Sequence, residues 1–345
     1  MGGRVTAAGG AADPSGGAAP LRVGLDMTAL ALTRAGTARY LRNLLARLAG
    51  RVEVRAFRFG GPGRASVLAR ELVWYPHRLG RVAARDRVDV LHCPTYYAPV
   101  SSHVPTVVTV HDLAVWRHPE AFGRWTRAYV PRAVPRMLRA AARVIAVSEF
   151  TRGELVELVG LPDEKIRVVP NAVEEVFSPQ GDAAEGEYVL AVGTLEPRKN
   201  LERLADAARR VGRELRVAGE AGWGGVRLDG VRWLGRVDDE ELARLYRGAL
   251  CVAYPSLYEG FGIPVLEAMA CGAPVVTSCG GATEEVAGGA AVLVDPYDPE
   301  AIAAGIEEAI ARRDELRARG LERARAFSWD ETARRTIEVY REVSR

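Results

Sequence analysis

The sequence predicts an α/β protein built as two doubly wound, Rossmann-like domains facing a deep cleft, and three observations carry the prediction. Short β-branched or apolar runs alternate with amphipathic stretches along all 345 residues, the pattern of parallel strands covered on both faces by helices. There are twelve such runs, too many for one sheet. Between the sixth and the seventh lies Ser178–Glu187 (SPQGDAAEGE), which has linker composition.

In chain order, Arg22–Met27 is the first run, and Gly36 then opens a helix whose Tyr40, Leu41, Leu44, Leu45 and Leu48 share one face. Val52–Phe59, Val88–His92, Thr106–His111, Val144–Val147 and Ile166–Val169 complete the first half. Glu187–Val192, Leu215–Ala218, Val231–Leu234, Leu250–Tyr254, Pro274–Thr277 and Ala291–Val294 make up the second. The expected organisation is a disordered tail over 1–20, a first domain over 21–177, a linker over 178–187, a second domain over 188–327 and a last helix over 328–345. That helix, with Trp329, Ile337 and Tyr340 as anchors, could belong to the second domain or cross back to the first. Ligands of doubly wound sheets sit beyond the carboxyl ends of the strands, so the site is expected in the cleft between the domains.

Composition narrows the function classes. The chain is 48% hydrophobic and 26% charged, which excludes collagen-like, coiled-coil and disordered readings. No run of about 18 apolar residues exists to span a bilayer, and the N-terminus has no apolar core, so it does not read as a secretory signal. Cys93, Cys251, Cys271 and Cys279 are widely spread without metal-ligand spacing and read as reduced thiols of a cytoplasmic protein. Only Lys165 and Lys199 are lysines, against 45 arginines. That bias reads as base composition of the genome rather than nucleic-acid binding. Residues 1–177 carry 25 basic and 15 acidic groups, net +10, whereas 178–345 carry 22 and 29, net −7.

Two segments seek anions. In Tyr258–Gly272 (YEGFGIPVLEAMACG), Gly260 and Gly262 let the backbone approach a ligand closely, and Pro264 suits the first turn of a helix. The free N–H groups of that helix would face an anion such as a phosphate. Glu267 is expected in its first turn and Glu259 just before the loop; the plain alternative is a dipole-favoured acid and a solvated loop glutamate. In Val192–Leu204 (VGTLEPRKNLERL), Asn200 reads as an N-cap, so Arg198 and Lys199 fall at a strand-to-helix turn on the cleft side. Two adjacent cations there suit a diphosphate; alternatively they are an unpartnered surface pair. His111 leaves the run TVVTVHD toward the cleft and reads equally as a site residue or a structural hydrogen-bonding one. Gly36 could admit a phosphate or sugar close to the backbone, or merely make a turn. The sequence has no D-x-D, G-x-G-x-x-G, G-x-x-x-x-G-K-[ST] or G-x-S-x-G, so dehydrogenase, P-loop and α/β-hydrolase chemistry is unsupported.

Over residues 22–342 these segments resemble the family 4 glycosyltransferases of GT-B fold. The matching text is VVTVHDL, RVIAVSEFTRGEL, IRVVPNAVEEVF, LAVGTLEPRKNL and YEGFGIPVLEAMACGAPVVTS, the last holding the family's E-x7-E pattern as Glu259 and Glu267. The resemblance implies a retaining enzyme that uses a nucleotide-diphosphate sugar, needs no metal or other cofactor, and has a C-terminal helix crossing back to the first domain. It implies that Glu267 accepts from the ribose hydroxyls, Glu259 contacts the sugar hydroxyls, and Arg198 and Lys199 hold the diphosphate. Gly193 and the backbone of Gly260, Phe261, Gly262 and Ile263 would line the donor, His111 would lie near the reacting carbon, and Gly36 would meet the diphosphate. The family's usual Gly-Gly pair is Ala35-Gly36 here, a departure at that loop.

The resemblance also gives the first domain to the acceptor. That half carries Trp74–Arg87 and Arg124–Arg143, which interleave aromatics with arginines as do segments lying on anionic membranes; an arginine-rich solvated helix face is the alternative. A saccharide or lipid-linked acceptor, a mannose-like hexose and polysaccharide assembly at the inner face of the membrane are the expectations, with no nucleic-acid partner. A nucleotide-sugar epimerase of the same fold, or a non-catalytic nucleotide-sugar binder, are the competing readings.

Overall fold

The computed structural model describes residues 20–32, 36–222 and 224–345. The expected tail over 1–20 lies outside the described residues except for Pro20, as does Ala35 of the Ala35-Gly36 pair.

All twelve predicted strands form, each within two residues of its expected ends. β1 (Arg22–Asp26), β2 (Glu53–Phe57), β3 (Val90–Cys93), β4 (Thr106–Val110), β5 (Arg143–Ala146) and β6 (Ile166–Val168) build one sheet in the order β2-β1-β3-β4-β5-β6. β7 (Tyr188–Val192), β8 (Glu214–Ala218), β9 (Arg232–Gly235), β10 (Cys251–Tyr254), β11 (Val275–Ser278) and β12 (Val292–Val294) build a second, in the order β12-β11-β10-β7-β8-β9. Every strand pair in both sheets is parallel. Central strands such as β3, β4, β10 and β11 are buried along their whole length. This is why they read as continuous apolar runs rather than alternating ones.

The Gly36–Leu48 helix buries Tyr40, Leu41, Leu44 and Leu48 against the first sheet, as its periodicity requires. The Trp329–Val343 helix crosses back to the first sheet. Ser328 caps it by accepting from the Glu331 amide, and Trp329, Ile337 and Tyr340 pack with Val23, Tyr40 and Val107. Burying side chains of this size stabilises by about 2 kcal/mol each. The Tyr340 hydroxyl also lies 2.6 Å from His92 Nδ1, whose Nε2 lies 2.8 Å from Thr109 Oγ1. Among the described residues, no helix is long and apolar enough to cross a membrane.

Candidate functional site

In the second sheet the chain runs outward from β7 through β8 to β9, then returns to β10 beside β7 and runs outward the other way. The loops leaving β7 and β10 therefore splay apart and leave a crevice at their carboxyl ends. Those loops are Gly193–Asn200 and Pro255–Gly262, the two anion-seeking segments of the sequence.

The structure brings Arg198, Lys199 and Glu259 into one cluster. Arg198 and Lys199 lie on a single tight turn, Pro197–Lys199. Lys199 Nζ is 2.6 Å from Glu259 Oε1 and 2.6 Å from the Tyr254 hydroxyl, and its stem covers Gly193. Arg198 donates to the Tyr258 carbonyl at 3.0 Å, lies 3.3 Å from Glu259 Oε2, and pairs with Glu196 at 2.8 Å. Tyr254 and Ser256 complete the shell, donating to Glu259 Oε1 at 2.9 and 2.8 Å. The two cations are thus held by the buried Glu196 and the largely buried Glu259 rather than standing as a free pair, and Glu259 is not a solvated loop residue. Burial would raise the Glu259 carboxyl, but the Lys199 and Arg198 charges outweigh it and bring it down to about 2. Oε1 is saturated with donors, while Oε2 has Arg198 alone and can accept another.

Asn200 departs from its expected role. It immediately precedes the Leu201–Arg210 helix but adopts left-handed backbone, φ 59°, and its side chain caps nothing. Its amide donates instead to the Pro255 and Pro296 carbonyls, at 2.9 and 2.6 Å. It ties the two crevice loops together, a role that local sequence could not reveal.

Pro264 stands in the first turn of the Ile263–Ala270 helix, as expected. Gly262 just before it has φ 101°, and a Cβ there would lie 2.9 Å from Thr283 Cγ2, so both backbone and space require glycine. Phe261 is buried in the second-domain core against Phe327, leaving only its backbone for a ligand. Ile263 begins the helix. Glu267 is one turn further along than expected, the fifth residue of the helix, and is buried. Tyr246 donates to its Oε2 at 2.9 Å, and Arg39 Nη1 lies 2.7 Å from its Oε1. Burial and the nearby Glu174 and Asp239 carboxylates lift the Glu267 carboxyl to about 7, against the pull of Arg39. The helix-dipole reading fails, since an acid in the second turn faces the core.

The first domain contributes His111, one residue beyond β4. Its Nε2 lies 3.1 Å from the Pro94 carbonyl, which can only accept, so Nε2 carries the proton and Nδ1 is left as an acceptor. Burial lowers the pKa of the ring, so it is neutral at pH 7. Its carbonyl oxygen abuts Gly260, where a Cβ would lie 1.7 Å away. The Gly260 carbonyl in turn accepts from Ser148 Oγ at 2.6 Å and Thr151 Oγ1 at 2.9 Å, and the Tyr258 hydroxyl accepts from the Leu113 amide at 3.1 Å. The loop after β10 is therefore stitched to the first domain. Gly36 opens its helix, and among the described residues nothing lies within 4 Å of a would-be Cβ there.

Arg39, Tyr246, Tyr254, Ser256 and Glu196 were not singled out by sequence. Three of them sit inside or beside segments that were: Arg39 in the helix opened by Gly36, Glu196 in LEPRKNL and Ser256 just before YEGFG.

Two family descriptions match the chain: "Glycosyltransferase Family 4" over residues 34–177 and "Glycosyl transferases group 1" over 173–327. The chain is 34% identical over 290 residues to the O-antigen chain mannosyltransferase B of Escherichia coli, covering 75% of this chain and 76% of that one. It is 32% identical over 315 residues to a D-inositol 3-phosphate glycosyltransferase of Kineococcus radiotolerans, covering 78% and 69%. Among solved structures, sucrose-phosphate synthase of Thermosynechococcus elongatus has the same fold, with a TM-score of 0.76 at 21% identity over 93% of this chain and 98% of that one.

Proposed function

The chain belongs to the family 4 glycosyltransferases of GT-B fold, and from that premise we propose that it transfers mannose from a nucleoside-diphosphate sugar, with retention and without a metal, to a saccharide or lipid-linked acceptor in cell-surface polysaccharide synthesis. The observation that carries this reading is the meeting of Arg198, Lys199, Glu259 and the start of the Ile263–Ala270 helix at the β7/β10 crevice. The similarity to a mannosyltransferase supports the choice of sugar.

The chemistry follows from charge. As the glycosidic bond breaks, negative charge grows on the leaving diphosphate and positive charge on the anomeric carbon. Arg198, Lys199 and the helix N–H groups stabilise the first, in a site already organised before the reaction. Removing one such donor costs on the order of 3 kcal/mol of barrier, about a hundredfold in rate. Glu259 Oε2 accepts from a sugar hydroxyl, and Glu267 accepts from the ribose. His111, neutral with Nδ1 unprotonated, accepts from a second sugar hydroxyl rather than acting as an acid. The acceptor approaches on the face the phosphate leaves, and the phosphate takes its proton.

The first domain supports a peripheral contact with an anionic membrane. Leu68, Leu72, Val73 and Trp125 are all more than 40% exposed, and Trp125 is brought beside the 70s segment by its bond to Glu71 at 2.5 Å. Arg64, Arg78, Arg81, Arg124 and Arg127, in the same two stretches of sequence, are exposed as well. The one carboxylate between Arg58 and Arg85, Glu71, is buried.

The test is a panel of nucleotide-sugars without acceptor, followed by thermal protection and slow release of nucleoside diphosphate. A single nucleotide-sugar, a nucleoside-diphosphate mannose on this reading, is expected to raise Tm and to be hydrolysed, and Lys199→Ala and Glu267→Ala to lose both effects. Variants that behave like the wild type, or a panel in which nothing binds, would overturn the assignment.

A further inference from the structure

Seven buried side-chain nitrogen or oxygen atoms among the described residues have no hydrogen-bond partner, and three of them, Arg39 Nη2, Glu174 Oε2 and Glu267 Oε1, belong to one cluster. Arg39 rises from the Gly36–Leu48 helix of the first domain. Its Nε bonds Glu174, in the connection leaving β6, and its guanidinium lies 5.0 Å above the Phe177 ring. Asn43 fixes the same Glu174 oxygen at 2.8 Å. With its inner edge so anchored, the outer edge of Arg39 is presented across the cleft, Nη1 to Glu267 at 2.7 Å and Nη2 toward Asp239 at 3.7 Å. One cation thus stands among three carboxylates, and the approach to Glu267 is close without being aligned as a hydrogen bond. Such an arrangement is short of donors, and a vicinal diol supplies two.

We propose that Arg39 is a positioning residue for the nucleotide ribose: from the first domain it keeps the second-domain Glu267 ionised and aimed, so that a bound nucleoside diphosphate is read by both halves of the molecule. The proposal rests on the reading that Glu267 receives the ribose hydroxyls. The groups facing Glu267 are Arg39, Glu174, Asp239, Tyr246 and Cys271. All but Arg39 are carboxylates or groups neutral at pH 7. Without the guanidinium, a carboxyl already lifted by burial would hold its proton at neutral pH. A protonated acid turns one oxygen into a donor and loses the charge that strengthens its hydrogen bonds, so it holds the two ribose hydroxyls less tightly than a carboxylate does. The same contact makes the ribose end of the donor a second link between the domains, besides the Gly260–His111 contact.

The experiment titrates GDP and UDP into the full-length protein between pH 6 and 9 by calorimetry, for the wild type, Arg39→Gln, Arg39→Lys, Asp239→Asn and Glu267→Gln. Wild-type affinity is expected to weaken as pH falls below about 7, where Glu267 takes up its proton. Arg39→Gln should move that limb up by a pH unit or more and weaken binding at least about threefold at pH 7.5, with recovery near pH 9. Arg39→Lys should restore much of the limb, and Asp239→Asn, a change at a half-exposed side chain, should move it down. An Arg39→Gln limb unmoved from wild type, or a loss equal at every pH, overturns the role of Arg39. Undiminished binding by Glu267→Gln overturns the ribose reading itself, and a wild type that binds neither nucleotide overturns both.

Discussion

Substituting Gly260 by alanine tests whether the loop after β10 must touch the first domain. The new methyl would lie 1.7 Å from the His111 carbonyl oxygen, 2.7 Å from its carbon and 2.9 Å from Asp112 Cβ. A tolerable carbon–oxygen contact needs about 3.3 Å, so the two segments must part by roughly 1.6 Å. The carbonyl in the way is backbone, and no rotamer change relieves the clash. Parting breaks the Ser148 and Thr151 hydrogen bonds to the Gly260 carbonyl and the Leu113–Tyr258 bond. At about 1 kcal/mol each, the touching arrangement loses about 3 kcal/mol and is populated about a hundredfold less. The loss falls on the contact between the domains and spares both cores. Sugar transfer should therefore fall by about two orders of magnitude, while Tm stays near wild type and small-angle scattering shows a more extended particle. Wild-type turnover in Gly260→Ala would refute the reasoning. So would a collapse of Tm, which would make the contact part of a core.

Stability should respond to pH in two opposed limbs. Glu259, held at about 2 when folded, stabilises above its unfolded value of 4.5, and that contribution is lost as pH falls toward 2. Glu267, lifted to about 7, favours the folded state most below 4.5, and that contribution is lost as pH rises through 7. Each limb is bounded at about 3 kcal/mol; Glu259→Gln should flatten the acid limb of a Tm–pH curve and Glu267→Gln the neutral one, and unchanged slopes would refute the assignments. For the membrane surface, cosedimentation with phosphatidylglycerol vesicles, but not with phosphatidylcholine alone, is expected and should weaken in Leu72→Ser/Trp125→Ser and at high salt. Equal binding to both vesicle types, or none, would count against it.

The sequence by itself determined the two sheets and the chemistry of their facing edges. The twelve strands were legible because buried parallel strands are apolar along their length, and the helices between them keep a 3.6-residue period. The crevice residues were legible because two loops leaving adjacent strands carried cations, glycines and a helix start, and a close resemblance covered both. The C-terminal helix showed its anchors, Trp329, Ile337 and Tyr340, but periodicity gave no direction; the resemblance favoured the first sheet, and packing with Tyr40 and Val107 bears that out.

What only the tertiary structure decided is how the charges are shared. Neutralisation of Arg198 and Lys199 by Glu196 and Glu259, the burial of Glu267 in a second helical turn, and the diversion of Asn200 from capping to bridging all depend on groups distant in sequence. Arg39 meets Glu267 from 228 positions away, and the His111 carbonyl meets Gly260 across the cleft. Periodicity and loop motifs report what a residue does for its own element. Coulomb energy, desolvation and steric exclusion depend on distance in space, and the fold alone sets those distances.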